Sequence, residues 1–166
     1  MEEEGQRRPM SRFQRVAENF AKSRAGGWYF INIANRVDRL LLPLTRGRMS
    51  LSGQIVPIGL LKVIGAKSGK ERHTPLTYLP DGERVVLTAS KGGSPKHPAW
   101  YHNLRANPEV RFLARGKEGT YRARVAEGEE RARLWAEVND LYAGYETYQG
   151  RTGGRRIPIV VLEPAD

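Results

Sequence analysis

Two short glycine-rich segments carry the residue types that bind oxyanions. The first, Gly65-Ala66-Lys67-Ser68-Gly69-Lys70, is followed by Arg72; the second is Ser90-Lys91-Gly92-Gly93-Ser94. Each offers a hydroxyl, at least one cation and backbone N–H groups that glycine lets approach a ligand oxygen closely. The first fails the phosphate-loop pattern, which needs four residues between its glycines and Ser or Thr after the lysine. Here three intervene and Glu71 follows Lys70. Each segment taken alone also reads as a charged turn, but two of them flanking a set of strands are placed to converge on one polyanion.

A run of tyrosines is the second candidate. Tyr142, Tyr145 and Tyr148 recur every three residues, which on a helix keeps three hydroxyls within a face roughly 120° wide. Such a stripe serves as core or interface. Equally, several phenols lining an apolar pocket can bind and protonate a carbonyl or quinone oxygen, since a phenol titrates near about 10. A short helix opened by Pro98 and stopped by Asn107-Pro108 places Trp100, Asn103 and Leu104 on one side, a set suited to a flat heteroaromatic ring. No metal site is expected. His97 and His102 are five apart, which does not hold two imidazoles on one helical face, and His73 is remote in sequence. No pair of carboxylates stands at a recognisable acid–base spacing.

The elements that must position these groups follow from length, charge and periodicity. The chain has 166 residues, 28 Lys+Arg against 18 Asp+Glu for a net charge of +10, and no cysteine. That length suits one folding unit, and the absence of cysteine excludes disulfides, thiolate metal sites and a cysteine nucleophile. No apolar run approaches the roughly 20 residues of a membrane span, and the opening Glu2-Glu3-Glu4 is unlike a signal peptide. The basic balance favours anionic partners. From Ser11 to Arg24, Phe13, Val16, Ala17 and Phe20 fall at helical spacing opposite Arg12, Arg15 and Lys22. This helix either packs on the domain or lies on an anionic membrane surface. A second helix is expected over residues 28–42, ending at Pro43. Strands are expected over 59–64, 73–79 and 84–89, then 109–114, 120–126 and 157–162, with a helix over 128–142. Hairpin-rich short strands with inserted helices argue for an antiparallel sheet curled into a small barrel.

The strings GAKSGKERHTPLTYLPDG, ASKGG and HPAWYHNLRANPEV, with the tyrosine run ahead of RIPIVVLEP, resemble the deazaflavin-dependent nitroreductase and quinone reductase family. The likeness extends from about residue 58 to 164, and Ala89 to Val110 is its most specific part. It implies an α+β fold, a mainly antiparallel split β-barrel of the FMN-binding split-barrel type with inserted and N-terminal helices. Residues 1–57 are then an N-terminal tail with amphipathic helices, and 58–166 the deazaflavin-binding domain. The implied cofactor is coenzyme F420, a flat deazaflavin ring on a phosphodiester with a polyglutamate tail; FMN is the alternative.

By position, Lys67, Ser68, Arg72 and Lys91 match family residues that hold the phosphate and acidic tail, while Ala66 stands where a related enzyme carries arginine. Thr74, Pro75, Thr88, Ala89, Ser90, Gly92, Ala99, Trp100, Tyr101 and Asn103 match positions around phosphate, side chain and ring. Tyr145 matches the tyrosine over the deazaflavin, and Tyr142, Tyr148 and Thr77 line the substrate pocket, Thr77 replacing a tyrosine that can occur there. The resemblance implies hydride transfer from the reduced cofactor to a quinone, an activated alkene (enone) or a nitroaromatic acceptor. Tyr145 is the first choice for donating a proton to the acceptor or orienting it, and Ser90 the second. A nucleic-acid partner is not expected, because the aromatics do not alternate with cations along an open sheet face. The expected location is cytoplasmic, with the helix from Ser11 to Arg24 offering peripheral contact with the inner face of the cell membrane. The oligomeric state stays open.

Overall fold

The computed structural model describes residues 35–50 and 56–165. The amphipathic stretch from Ser11 to Arg24 and the start of the helix expected over 28–42 lie outside the described residues. The elements run α1 (Asn35–Leu44), β1 (Ile58–Ile64), β2 (Glu71–Asp81), β3 (Arg84–Thr88), a 3₁₀ turn (Lys91–Gly93) and α2 (Ala99–Ala106). After these come β4 (Glu109–Ala114), β5 (Lys117–Val125), α3 (Gly128–Leu141), α4 (Gly144–Arg151) and β6 (Ile159–Pro164). All neighbouring strands pair antiparallel, in the closed order β1-β2-β3-β6-β5-β4. The barrel expected from the hairpin pattern is therefore present.

The side-chain alternation of a strand explains how one sheet has two buried faces. Val85 and Leu87 of β3, and Val160 and Leu162 of β6, join Leu61, Val63 and Phe112 inside the barrel, capped by Trp100, Tyr101 and Leu104 of α2. The alternate residues Val86, Ile159 and Val161 point outward and are covered by Leu134, Val138, Tyr145 and Tyr148 of α3 and α4. A third cluster sets Leu42 of α1 on Leu60 and Leu113. Leu42, Leu60 and Leu61 are fully buried, and each such side chain contributes about 1.5–3 kcal/mol by leaving water.

Most element boundaries move by one to three residues from the sequence reading, and two of the differences have a local cause. α1 runs one residue past Pro43, to Leu44. It is closed by the Thr45 N–H and hydroxyl donating to the Leu41 carbonyl (2.9 and 2.8 Å) and by the Gly47 N–H donating to Leu42 (2.7 Å). The tyrosines, in turn, do not form one helical stripe. Tyr142 is extended (φ −149°, ψ 100°), so α3 ends at Leu141 and Tyr145 and Tyr148 belong to the separate helix α4. The cause is local: the Tyr142 ring folds over Gly144, where a Cβ would stand 2.2 Å from ring atom Cε1.

Candidate functional site

The site begins where the sheet parts. β2 and β3 are paired from Tyr78↔Leu87 to Asp81↔Arg84, whereas the upstream half of β2, Glu71 to Thr77, pairs with β1 alone. Pro75 is tolerated on that half because its missing N–H faces no β3 partner. The next rung would join Thr77 to Thr88. Instead, the Tyr145 phenol is buried beside both threonines; burial, the dominant effect, pushes its pKa up to about 12, and the two hydroxyls offset this only in part. Tyr145 is thus held neutral and keeps its proton well above neutral pH. Thr77, expected to line the substrate pocket, lies at this fork with its hydroxyl beside the Tyr145 phenol.

The break between α3 and α4 brings the tyrosines together by another route than a stripe. The Tyr142 and Tyr145 rings meet edge to face with centroids 5.3 Å apart, and Tyr148 lies 6.1 and 6.3 Å from them. The hydroxyls of Tyr142 and Tyr148 are hydrogen-bonded at 3.2 Å. Tyr145 and Tyr148 are buried and Tyr142 is half-buried, so Tyr142 is the member of the cluster most open to solvent.

The second glycine turn leaves β3 directly beside this cluster. Ser90 is right-handed (φ −74°, ψ −41°) and Lys91, Gly92 and Gly93 follow with φ of 49°, 62° and 83°. A right-handed residue followed by left-handed ones cups successive N–H groups into an anion nest. A lysine in the left-handed region costs about 1 kcal/mol or more relative to glycine. The N–H groups of Gly93 and Ser94 close the turn onto Ser90 and Lys91 carbonyls (both 3.1 Å). Those of Lys91 and Gly92 have no acceptor among the described residues. Gly93 is required because a Cβ there would lie 2.7 Å from the Tyr148 carbonyl oxygen and 2.8 Å from the Arg151 Cβ.

The first turn is a tighter structure. The Gly65 and Lys70 backbones are bonded at 2.9 Å, as are Gly69 and Gly65. Arg72 donates to the Ser68 hydroxyl at 3.3 Å. Asn103 of α2 accepts from the Ala66 N–H (3.1 Å) and Asn107 donates to the Ile64 carbonyl (3.1 Å). The helix that follows the second turn therefore holds the first, so the turns sit at opposite ends of an eight-residue helix, about 12 Å long at 1.5 Å per residue. Charge is unbalanced here. Lys62 and Arg111 are matched by Glu118 and Glu71. Lys67, Lys70, Arg72, Lys91, Lys96 and Arg105 have no ion pair among the described residues.

Sequence reasoning missed the side chain that bonds across the second turn. Arg155, just ahead of β6, donates to the carbonyls of Ala89 (3.1 Å), Ser90 (2.8 Å) and Ser94 (3.0 and 2.9 Å), and to Nδ1 of His97 (3.1 Å). Burial and then the Arg155 charge hold His97 below its usual pKa, which keeps Nδ1 an acceptor. Of the residues expected around a ring, Trp100 and Tyr101 are packed in the barrel core and Asn103 faces the first turn, while Ala99 is exposed at the start of α2. Thr74 and Pro75 lie opposite Leu61 and Leu60 on the half of β2 that pairs with β1 alone.

Comparison with known proteins identifies the family. Residues 35–164 match the family described as F420H(2)-dependent quinone reductase. An F420H(2)-dependent quinone reductase of Mycobacterium tuberculosis is 39% identical over 142 residues, covering 81% of this chain and 95% of that protein. A solved F420-H2 dependent reductase superposes with a TM-score of 0.60 at 42% identity, covering 64% of this chain and 94% of its own. A structure described as a domain-swapped dimer gives 0.63 at 37% identity, covering 77% and 94%. The match spans the split barrel, both turns and the tyrosine helices, and the chain belongs to the F420H(2)-dependent quinone reductase family.

Proposed function

We propose that this chain is an oxidoreductase that takes a hydride from reduced coenzyme F420 and passes it to an electrophilic acceptor, a quinone first of all. The observation that supports it most is the anion nest at Ser90–Gly92 beside the tyrosine cluster, with six cations unneutralised around the two turns. The donor set fits the cofactor. Free N–H groups and unpaired Lys and Arg side chains suit a phosphodiester and a string of carboxylates, and no carboxylate of the described residues pairs with those cations. When bound, the deazaflavin supplies the hydride-transfer chemistry.

The protein's own part is binding, orientation and proton handling. Lys91 and the Ser90–Gly92 backbone hold the phosphate, Lys67, Ser68 and Arg72 the acidic tail, with Ala66 contributing shape rather than charge. Thr74, Pro75, Ala89, Ala99, Trp100, Tyr101 and Asn103 form or brace the walls of the cleft opened by the split. Tyr145, buried beside Thr77 and Thr88, orients the acceptor oxygen. Its raised pKa makes it a hydrogen-bond donor that retains its proton, so the Tyr142–Tyr148 pair and Ser90 are the routes by which a proton reaches reduced acceptor. Activated alkenes and nitroaromatic compounds are the further acceptors of the proposal.

Peripheral contact with an anionic membrane, on the cytoplasmic side, is its finest part. The sequence from Ser11 to Arg24 suggested it. Support comes from Leu40 and Leu44 of α1, 69% and 80% exposed, on a stripe with Val37 beside Arg36 and Arg39. Leu42 ties this end of the 1–57 segment to the barrel. Among the described residues no helix is long and apolar enough to cross a membrane. Serine at Leu40 and Leu44 should weaken sedimentation with anionic liposomes; unaltered sedimentation counts against the contact. The activity is tested by mixing protein, reduced cofactor and the soluble quinone menadione and following return of the oxidised cofactor's fluorescence. Protein-dependent oxidation supports the reading, and none above the protein-free rate overturns it.

A further inference from the structure

Arg155 is the most heavily bonded side chain among the described residues. Its guanidinium makes five contacts within 3.1 Å, four to carbonyl oxygens and one to His97 Nδ1. All lie between Ala89 and His97, in the loop that contains the left-handed run Lys91–Gly93. Arg155 has no carboxylate partner among the described residues, and burial lowers its pKa. A cation partly desolvated without a counter-ion is unfavourable unless carbonyl dipoles take the place of water. Here they do, and a planar fork is the shape that reaches three separate carbonyl groups at once.

The other side of Arg155 is equally fixed. Gln149 of α4 donates to the Arg155 carbonyl (2.8 Å) and accepts from the Ile157 N–H (2.9 Å), so the Arg155 backbone is locked to the helix that carries Tyr145 and Tyr148. Gly93 packs on that same helix at the Tyr148 carbonyl. We infer that Arg155 is a positioning residue that holds the anion nest in its strained conformation and in fixed register with the tyrosine helix. The consequence is that nest and tyrosines move together or not at all, which sets where a bound anion stands relative to the Tyr145 phenol. Lysine preserves the charge but concentrates its donors on one nitrogen and cannot span Ala89, Ser90 and Ser94 together.

The functional half of this inference rests on the cofactor reading of the Ser90 turn, so the test has two arms. The first is amide hydrogen exchange, read on the full chain without ligand. Arg155→Lys should speed exchange at Gly93 and Ser94 about tenfold or more, with the barrel amides of β3 and β6 unchanged. The second is binding of oxidised coenzyme F420, followed by fluorescence. Arg155→Lys should raise Kd about tenfold, whereas Arg156→Lys, an exposed neighbour, should leave it within twofold. Low, non-denaturing guanidinium should restore binding to Arg155→Ala and not to Lys91→Ala. Wild-type exchange at Gly93 and Ser94 in Arg155→Lys overturns the positioning role, as does an equal loss in Arg156→Lys. If the wild-type chain fails to bind the cofactor, the cofactor reading falls and the exchange arm alone decides on Arg155.

Discussion

Replacing Tyr145 by Phe removes one oxygen from the fork where β2 and β3 separate, and its cost can be worked out from the structure. The phenol is buried beside the hydroxyls of Thr77 and Thr88, which act on its titration. Taking about 1 kcal/mol for each of these two buried polar contacts, the variant should lose about 2 kcal/mol at neutral pH. The pH dependence is the sharper part. An unfolded-state phenol titrates near 10, and in the fold its pKa is pushed up to about 12. Between those values the unfolded chain loses a proton that the folded chain keeps, so stability falls as pH rises. By linkage the wild-type protein loses about 1.4 kcal/mol from this residue by pH ~11. Phenylalanine does not titrate, and the other tyrosines are common to both proteins. The gap between wild type and variant should therefore shrink from about 2 to about 0.6 kcal/mol between pH ~8 and ~11. Urea unfolding followed by tryptophan fluorescence measures it. A gap constant across that range would refute the buried phenol with its raised pKa.

Three further outcomes are expected. Lys67→Ala and Arg72→Ala should each weaken binding of coenzyme F420 about 3- to 10-fold, as loss of one exposed charge contact does, and added salt should narrow the difference; equal affinities at low salt would remove the first turn from the site. Gly144→Ala puts a methyl 2.2 Å from the Tyr142 ring and should cost about 1–3 kcal/mol. Gly150→Ala, which meets nothing within 4 Å, should be neutral or stabilising by about 0.5–1 kcal/mol, so thermal melts of the pair separate packing from helix propensity. Finally, His97 is held below its usual pKa, first by burial and then by Arg155. Below pH ~6.5 the unfolded chain takes up a proton that folded His97 resists, and stability falls with acid. His97→Gln should flatten that part of the acid limb, and a parallel limb in both proteins would contradict the assignment.

What the sequence made legible has a physical reason. Val85–Leu87 and Ile159–Leu162 are unbroken apolar runs because those strands are buried on both faces, and Asp81-Gly82 and Asn107-Pro108 punctuate the chain strongly. The glycine turns were legible for the same reason, since left-handed backbone needs particular residues. The tyrosines were legible in type and not in geometry: a period of three suits one helix, and only the packing of the Tyr142 ring on Gly144 shows that the helix must stop. Trp100 and Leu104 looked like a ring platform because helix spacing does not say which side faces the barrel. Arg155 was invisible. Its partners are backbone carbonyls 61 to 66 residues away, and a carbonyl leaves no mark in a sequence.

Whether the two turns hold coenzyme F420 is decided by titration. Oxidised cofactor is added to purified protein, quenching of its fluorescence is followed, and FMN is titrated in parallel. Saturable binding of coenzyme F420 is expected, weakened by Arg72→Ala, with FMN weaker because it lacks the acidic tail. Absence of saturation, or tighter binding of FMN, would contradict it.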